Sequence, residues 1–175
     1  MTEIEQGAWT IRSARADELH LLAAIEMDAF WALHEAGAVA CEPTSLPLDV
    51  LRQSLAEQQL LVAADSEDQP FGFLAGIRKD GCVHIAEIDV VRRWQKQGVG
   101  RRLLEASIAA AKAQGAAGVT LTTDRHVAFN APFYVSAGFR ILAEGERPSV
   151  LTQILEDEIA HGADPARRVA MALRF

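Results

Sequence analysis

Between a strand and a helix of this chain lies a glycine turn loaded with cations. Gln95, Lys96, Gln97, Gly98, Val99, Gly100, Arg101 and Arg102 come shortly after Val83-His84-Ile85-Ala86-Glu87-Ile88-Asp89-Val90. Two glycines let the main chain approach a ligand with no Cβ in the way, and the helix they open points unpaired N–H groups forward. Arg92, Arg93, Lys96, Arg101 and Arg102 crowd the stretch, and no acid falls between Val91 and Leu104, although the whole chain carries a net charge of −7. A local reversal of sign favours an anion, so the expected ligand bears phosphate. Two carboxylates, Glu87 and Asp89, stand on the strand that runs into this turn. They are placed to take a proton from whatever the phosphate-bearing ligand reacts with.

Two familiar phosphate loops do not fit. A P-loop needs Lys and then Ser or Thr after its last glycine, where this chain has Arg101 and Arg102. The dinucleotide fingerprint needs Gly or Ala three residues after its second glycine. Leu103 stands there instead, although Asp124 imitates the acid that would hold a ribose.

The elements that must position these residues follow from periodicity and turn chemistry. Trp9 to Ser13 reads as a strand and Asp17 to His34 as a helix, with Leu19, Leu22, Ala23, Met27 and Phe30 at helical spacing. Glu35 to Pro47 is a loop and Leu48 to Gln59 a second helix. Leu60 to Ala64 and Pro70 to Ile77 form an antiparallel pair around the polar turn Asp65 to Gln69. Val83 to Val90, the helix Gly98 to Gln114 closed by Gly115, and Gly118 to Thr123 make a parallel strand-helix-strand crossover. Asn130 to Ala137 is a short helix, Phe139 to Glu144 a strand, Ser149 to Ala160 a helix and Arg168 to Phe175 a last strand. The sum is an α/β, mixed α+β domain spanning residues 1–175, a central and mostly antiparallel sheet with helices on both faces. Ligands of such sheets sit at the carboxyl ends of the parallel strands, where the glycine turn lies.

Composition narrows the partners. With 175 residues, half of them hydrophobic, the chain can bury one substantial core. A pI near 5.2 argues against a protein whose main task is gripping nucleic acid or an anionic membrane, both of which need a broad basic face. Cys41 and Cys82 are far apart and belong to no metal-ligand or Cys-x-x-Cys pattern, so they read as free thiols in a cytoplasmic setting. His84 has no second ligand at useful spacing and reads as packing, so no metal is expected.

Gln95-x-x-Gly98-x-Gly100 after a strand ending in Val90 resembles the signature of the GNAT superfamily, the acyl-CoA-dependent N-acetyltransferases. Asn130-Ala131-Pro132-Phe133-Tyr134-x-x-x-Gly138-Phe139 resembles the later segment of the same superfamily. The likeness is sharp over residues 83–140 and elsewhere is one of element order. It departs at Arg92 and Arg93, where many members carry Pro or an acid. The resemblance implies a GNAT-like fold, acetyl-CoA as co-substrate, and a small-molecule or peptide amine as acceptor. It implies that the main chain of Val90, Val91, Arg92 and residues 95–102, Gln97 and Val99 included, holds the cofactor, with Asn130 on the pantetheine amides or capping its own helix. It implies that the Tyr134 hydroxyl protonates the departing sulfur. It also places a strand-splaying bulge near Val90, whose N–H polarises the thioester carbonyl, and leaves room for a homodimer built on the last strand.

Acetyl transfer to an amine needs a base. Glu87 is the leading candidate and Asp89 its rival, a chain of waters being the third arrangement; strand alternation sets Ile85, Glu87 and Asp89 on one face and Ala86, Ile88 and Val90 on the other. Trp31, His34 and His126, with Cys41 and Glu42, are candidates for the acceptor wall. The other course open to the sequence is a catalytically silent acyl-CoA-binding or regulatory module of the same fold.

Overall fold

The computed structural model describes residues 9–35 and 45–175; Cys41 and Glu42 lie outside the described residues. Among the described residues seven strands form one sheet in the order β1-β2-β3-β4-β5-β7-β6: β1 Thr10–Ser13, β2 Leu60–Ala64, β3 Pro70–Lys79, β4 Cys82–Val90, β5 Gly118–Asp124, β6 Arg140–Ile141 and β7 Arg168–Arg174. Every neighbouring pair is antiparallel except β4 and β5. Among the described residues no helix is long and apolar enough to cross a membrane.

Helices cover both faces. On one side α3 (Val99–Ala113) packs Leu103 and Leu104 against Leu74, Val83 and Ile85, and α4 (Ala131–Ser136) adds Ala131 and Tyr134 to the same core. On the other, α1 (Leu19–Glu35) and α2 (Leu48–Ala56) bury Leu22, Ile25 and Leu51 against Val62, Phe73 and Ala75. The last helix, α5 (Ser149–Ala160), lays Leu151 and Leu155 on Ala170 and Ala172 of β7. Val169 and Met171 of that strand face the α3 core, so alternation puts α5 on the side of α1 and α2.

The expected strands and helices are all present, with three differences, while most of the expected Glu35–Pro47 loop lies outside the described residues. The Phe139–Glu144 strand contracts to Arg140–Ile141, because Leu142 turns away into the α5 core and residues 144–146 close a short turn on Ala143. The bulge is not near Val90. It falls at Ala86: Ala75 pairs with Glu87 and Gly76 with Ile85, so Ala86 has no partner across the ladder. An extra residue reverses alternation past that point, so Ile85 joins the α3 core while Glu87 faces the α1 side opposite Ala75. Ile85 is therefore not on the face of Glu87 and Asp89.

The second consequence is a gap. β4 and β5 pair only at Val83 with Val119 and His84 with Thr120, after which the parallel strands separate and leave an opening through the sheet.

Candidate active site

A cleft of about 960 Å³ runs through this opening. At one end it is lined by Gln95, Lys96, Gly98, Val99, Gly100 and Arg101, in the middle by Asn130 and Tyr134, and on the α1 side by Glu87, Asp89 and Leu46. Residues from both faces of the sheet thus share one cavity.

The glycine turn presents unpaired main-chain donors. Lys96 (φ 60°) and Gly98 (φ 82°) are left-handed, and the amides of residues 96–101 donate to no acceptor among the described residues. The neighbouring amides on either side are engaged, Gln95 with the Arg92 carbonyl and Arg102 with the Gly98 carbonyl. Successive free N–H groups at a helix N-terminus form an anion-binding concavity. Gly98 is required by its φ. Gly100 is not: a Cβ there would meet nothing within 4 Å, so the fold alone gives no reason for glycine. The Gln95 side chain braces the turn by donating to the Val90 carbonyl at 2.9 Å.

Other cofactor candidates are differently engaged. The Val91 amide donates to Phe71 and the Arg92 amide to Asp28 of α1 at 2.6 Å, which leaves neither main-chain donor for a carbonyl or phosphate. The Arg92 guanidinium pairs with Glu35. Arg102 lies 4.2 Å over the Trp9 ring and Gln97 bonds the Arg93 carbonyl, and neither lines the cleft. Arg101 does, held over Phe133 and bonded to Ser136. Asn130 stands at the N-cap position of α4 but makes no capping bond; its side chain borders the cleft instead.

Glu87 and Asp89 meet a third carboxylate, Glu26 of α1. Oxygens of the three lie within 4.8 Å of one another, the one group among the described residues able to share a metal ion. At this spacing two ionised carboxylates repel by roughly 3–4 kcal/mol at an effective dielectric near 20. Burial and the Glu26 charge push the Glu87 carboxyl up to about 7, against the Ile88 amide and Arg168, which pull it down. Burial, then Glu87 and Glu26, also raise Asp89, and burial raises Glu26. Tyr134 is 6% exposed, and its hydroxyl bonds to no other group among the described residues. Burial and the carboxylates hold it well above the ordinary phenol range, so it keeps its proton. His84, whose Nδ1 lies 3.1 Å from the Thr120 hydroxyl, is depressed to about 4 by burial and stays neutral.

Trp31, His34 and His126 are brought together with none of this. Trp31 and His34 pack on each other and on Phe30 along α1, His126 is exposed, and none borders the cleft. Asp124 holds the loop before α4, accepting the His126 and Val127 amides and the Arg167 guanidinium, which leaves no acid free for a ribose. Glu26, Glu158 and Arg168 went unnoticed in the sequence. Glu158 and Arg168 line the cleft as a bidentate pair at 2.8 and 2.9 Å, joined by Thr122. Glu26 had a readable signal, for it falls on the same stripe as Leu19, Leu22 and Ala29, an acid where helical spacing demands an apolar side chain.

A strand-splayed mixed sheet with an amide-lined glycine turn at the mouth of the split defines an acyl-CoA N-acyltransferase type of fold. The family model described as the acetyltransferase (GNAT) domain matches residues 33–148, and the chain belongs to that family. Among solved structures, it is similar to a GNAT-family acetyltransferase of Staphylococcus aureus Mu50, at 18% identity over 95% of this chain and 100% of that one, with a TM-score of 0.71. The ribosomal-protein-S18-alanine N-acetyltransferase of Escherichia coli is 19% identical over 95% and 94% of the chains, TM-score 0.66. The PaiA N-acetyltransferase of Thermoplasma acidophilum, solved in complex with coenzyme A, is 14% identical over 96% and 99%, TM-score 0.64. At these identities the likeness is one of fold.

Proposed function

We propose that the protein transfers an acetyl group from acetyl-CoA directly to a primary amine of a small molecule or peptide. The observation that carries this reading is that a single cleft joins Lys96 and residues 98–101, whose amides are free, to Glu87 and Tyr134. The amides and Arg101 suit a diphosphate, and Asn130, with no capping bond to make, suits the amide groups of a pantetheine arm. Bound acetyl-CoA supplies an electrophilic thioester carbonyl and a thiolate leaving group.

The chain's own groups handle the protons. An alkylammonium with a pKa near 10.4 is mostly charged at neutral pH, and reaching the reactive free amine costs about 4.6 kcal/mol at pH 7. Glu87, with its carboxyl near 7, is matched to take that proton at working pH. As the amine nitrogen bonds the carbonyl carbon and the carbon–sulfur bond breaks, Tyr134 gives its proton to the sulfur. The opening between β4 and β5 lets a base on one face and an acid on the other reach the same reacting centre. With two cysteines and no disulfide pattern, a cytoplasmic setting suits the chain.

The silent-module alternative predicts coenzyme A binding without turnover. Thiol release from acetyl-CoA across a panel of amines, beside calorimetry of coenzyme A binding, tests both. Amine-dependent thiol release supports the enzyme, binding alone supports the module, and no binding by folded protein ends both readings.

A further inference from the structure

The three carboxylates at the acceptor end lack a cation. Elsewhere among the described residues the buried acids are paired: Glu18 with Arg12 and Arg15, Asp124 with Arg167. Among the described residues none of Glu26, Glu87 and Asp89 lies within ion-pair distance of Lys, Arg or His. Glu26, 8% exposed, is fixed by the Leu46 amide, which reaches both its oxygens at 2.7 and 2.8 Å. Glu87 accepts only the adjacent Ile88 amide at 3.3 Å. The carboxylate of Asp89, a residue 9% exposed and part of the cleft wall, accepts no hydrogen bond from any described residue.

A separate observation points to a ligand at this place: Tyr134, a side chain nine-tenths buried on the same cleft, carries a hydroxyl that opens to the cleft and also has no partner among the described residues. The charged and titratable groups that bear on Glu87 are Asp89 on its own strand, Glu26 from α1, Tyr134 from α4, Glu158 from α5 and Arg168 from β7. Arg168 is the one cation, and Glu158 already holds its fork. Acids that crowd without a counter-charge retain protons until a cation arrives.

We infer that Glu26, Glu87 and Asp89 act together as a receptor for the ammonium group of the acceptor, so that the acceptor class is a strongly basic alkylamine bound as its cation, whose arrival displaces protons from the cluster. Glu87 and Asp89 line the cleft, whereas Glu26 acts through them and is a positioning residue. An aryl amine or an alcohol, neutral at pH 7, offsets no charge and is rejected. The proton balance is complete: the entering R–NH₃⁺ sends one cluster proton to solvent, and Glu87, so emptied, accepts the proton that the nitrogen must lose before it attacks. The inference rests on the acetyl-transfer reading for that last step, but not for the binding itself.

The test is calorimetry on full-length protein saturated with coenzyme A at pH 7. n-Butylamine, 1-butanol and aniline are titrated in phosphate and in MOPS, neither of which carries a primary amine and whose different ionisation heats reveal protons released on binding; coenzyme A is titrated separately into the free protein. Butylamine is expected to bind at least tenfold more tightly than the other two and to release protons. Glu26→Gln, whose amide oxygen still accepts from Leu46, is expected to reduce both effects, and Asp89→Asn provides the same comparison should the first variant fold poorly. Equal binding of butanol or aniline, absence of proton release, or unchanged behaviour in both variants overturns the inference. So does tight magnesium binding that butylamine cannot displace, which assigns the cluster to a metal. Amine binding with proton release in a protein that ignores coenzyme A upholds the receptor and sinks the acetyl-transfer reading.

Discussion

Glu87 lies directly across the ladder from Ala75, and its near neighbour Ile85 across from Gly76, so that one unpaired residue, Ala86, decides which face each side chain occupies. Without that insertion Glu87 would share the face of Ile85 and point into the apolar core beneath α3. With it, the carboxylate reaches the α1 side and Glu26, and β4 begins to part from β5. A single bulge therefore both turns the Glu87 carboxylate to the α1 side and lies where the opening begins through which Tyr134, from the other face, shares its cleft.

A base must be empty to accept a proton, so kcat/KM should rise with pH through about 7, the value to which burial and Glu26 push the Glu87 carboxyl. Stability should run the other way. The folded carboxyl is raised above its ordinary 4.5, so its contribution is fully present below about 4.5 and is lost as pH rises through about 7. Glu87→Gln should abolish most turnover yet melt at or above the wild-type temperature at pH 8, and fall behind it at pH 5. Calorimetric melts at the two pH values check the crossover, and a variant equally destabilised at both contradicts it.

Arg168 provides a shift whose sign follows from its charge. Its charge holds Glu87 down, so Arg168→Met should move the acid limb of the rate profile to higher pH by a fraction of a unit. The same change leaves Glu158 without its bidentate partner and should cost about 1–3 kcal/mol of stability. A pH–rate profile and a urea titration read the two effects separately; an acid limb displaced downward would mean that Arg168 does not act on the base.

Removing the Tyr134 hydroxyl should separate chemistry from packing. The ring belongs to the α3 core beside Phe133 and Phe139, but the hydroxyl has no partner to orphan. Tyr134→Phe should therefore keep stability within about 0.5 kcal/mol while turnover falls on the order of 10²-fold or more, as loss of a general acid does. Thiol release and a thermal melt measured on one preparation suffice, and an active variant would assign the sulfur's proton to another donor.

Element order, the parallel crossover and the glycine turn were legible because each is written locally, in apolar period, flanking Gly and Pro, and a run of cations from Arg92 to Arg102. The bulge was not readable at its position, because Ala86 has no composition signal of its own and its effect exists only against the register of β3. Arg168 and Glu158 were hidden for another reason. They are ordinary charged residues of a strand and a helix, and only the return of α5 onto the α1 side brings them to the cleft. Trp31, His34 and His126 show the converse: residue types that suit a site carry no information about where a helix or loop will point them.

The two glycines of the turn should fail in different ways. Gly98 holds φ at 82°, a conformation that costs a residue with Cβ roughly 1–2 kcal/mol, so Gly98→Ala should lower the melting temperature by several degrees with or without ligand. Gly100 has no such φ, and an added methyl would meet nothing in the protein, while alanine in a helix is favoured over glycine by about 0.5–1 kcal/mol. Gly100→Ala should thus melt no lower than the wild type, yet bind coenzyme A at least tenfold more weakly, because the methyl occupies space over the free amides of residues 96–101 that a diphosphate must enter. Calorimetry with coenzyme A on both variants draws the distinction. If Gly100→Ala bound as the wild type does, the diphosphate would have to approach the turn from another side, and the free amides would need a different ligand.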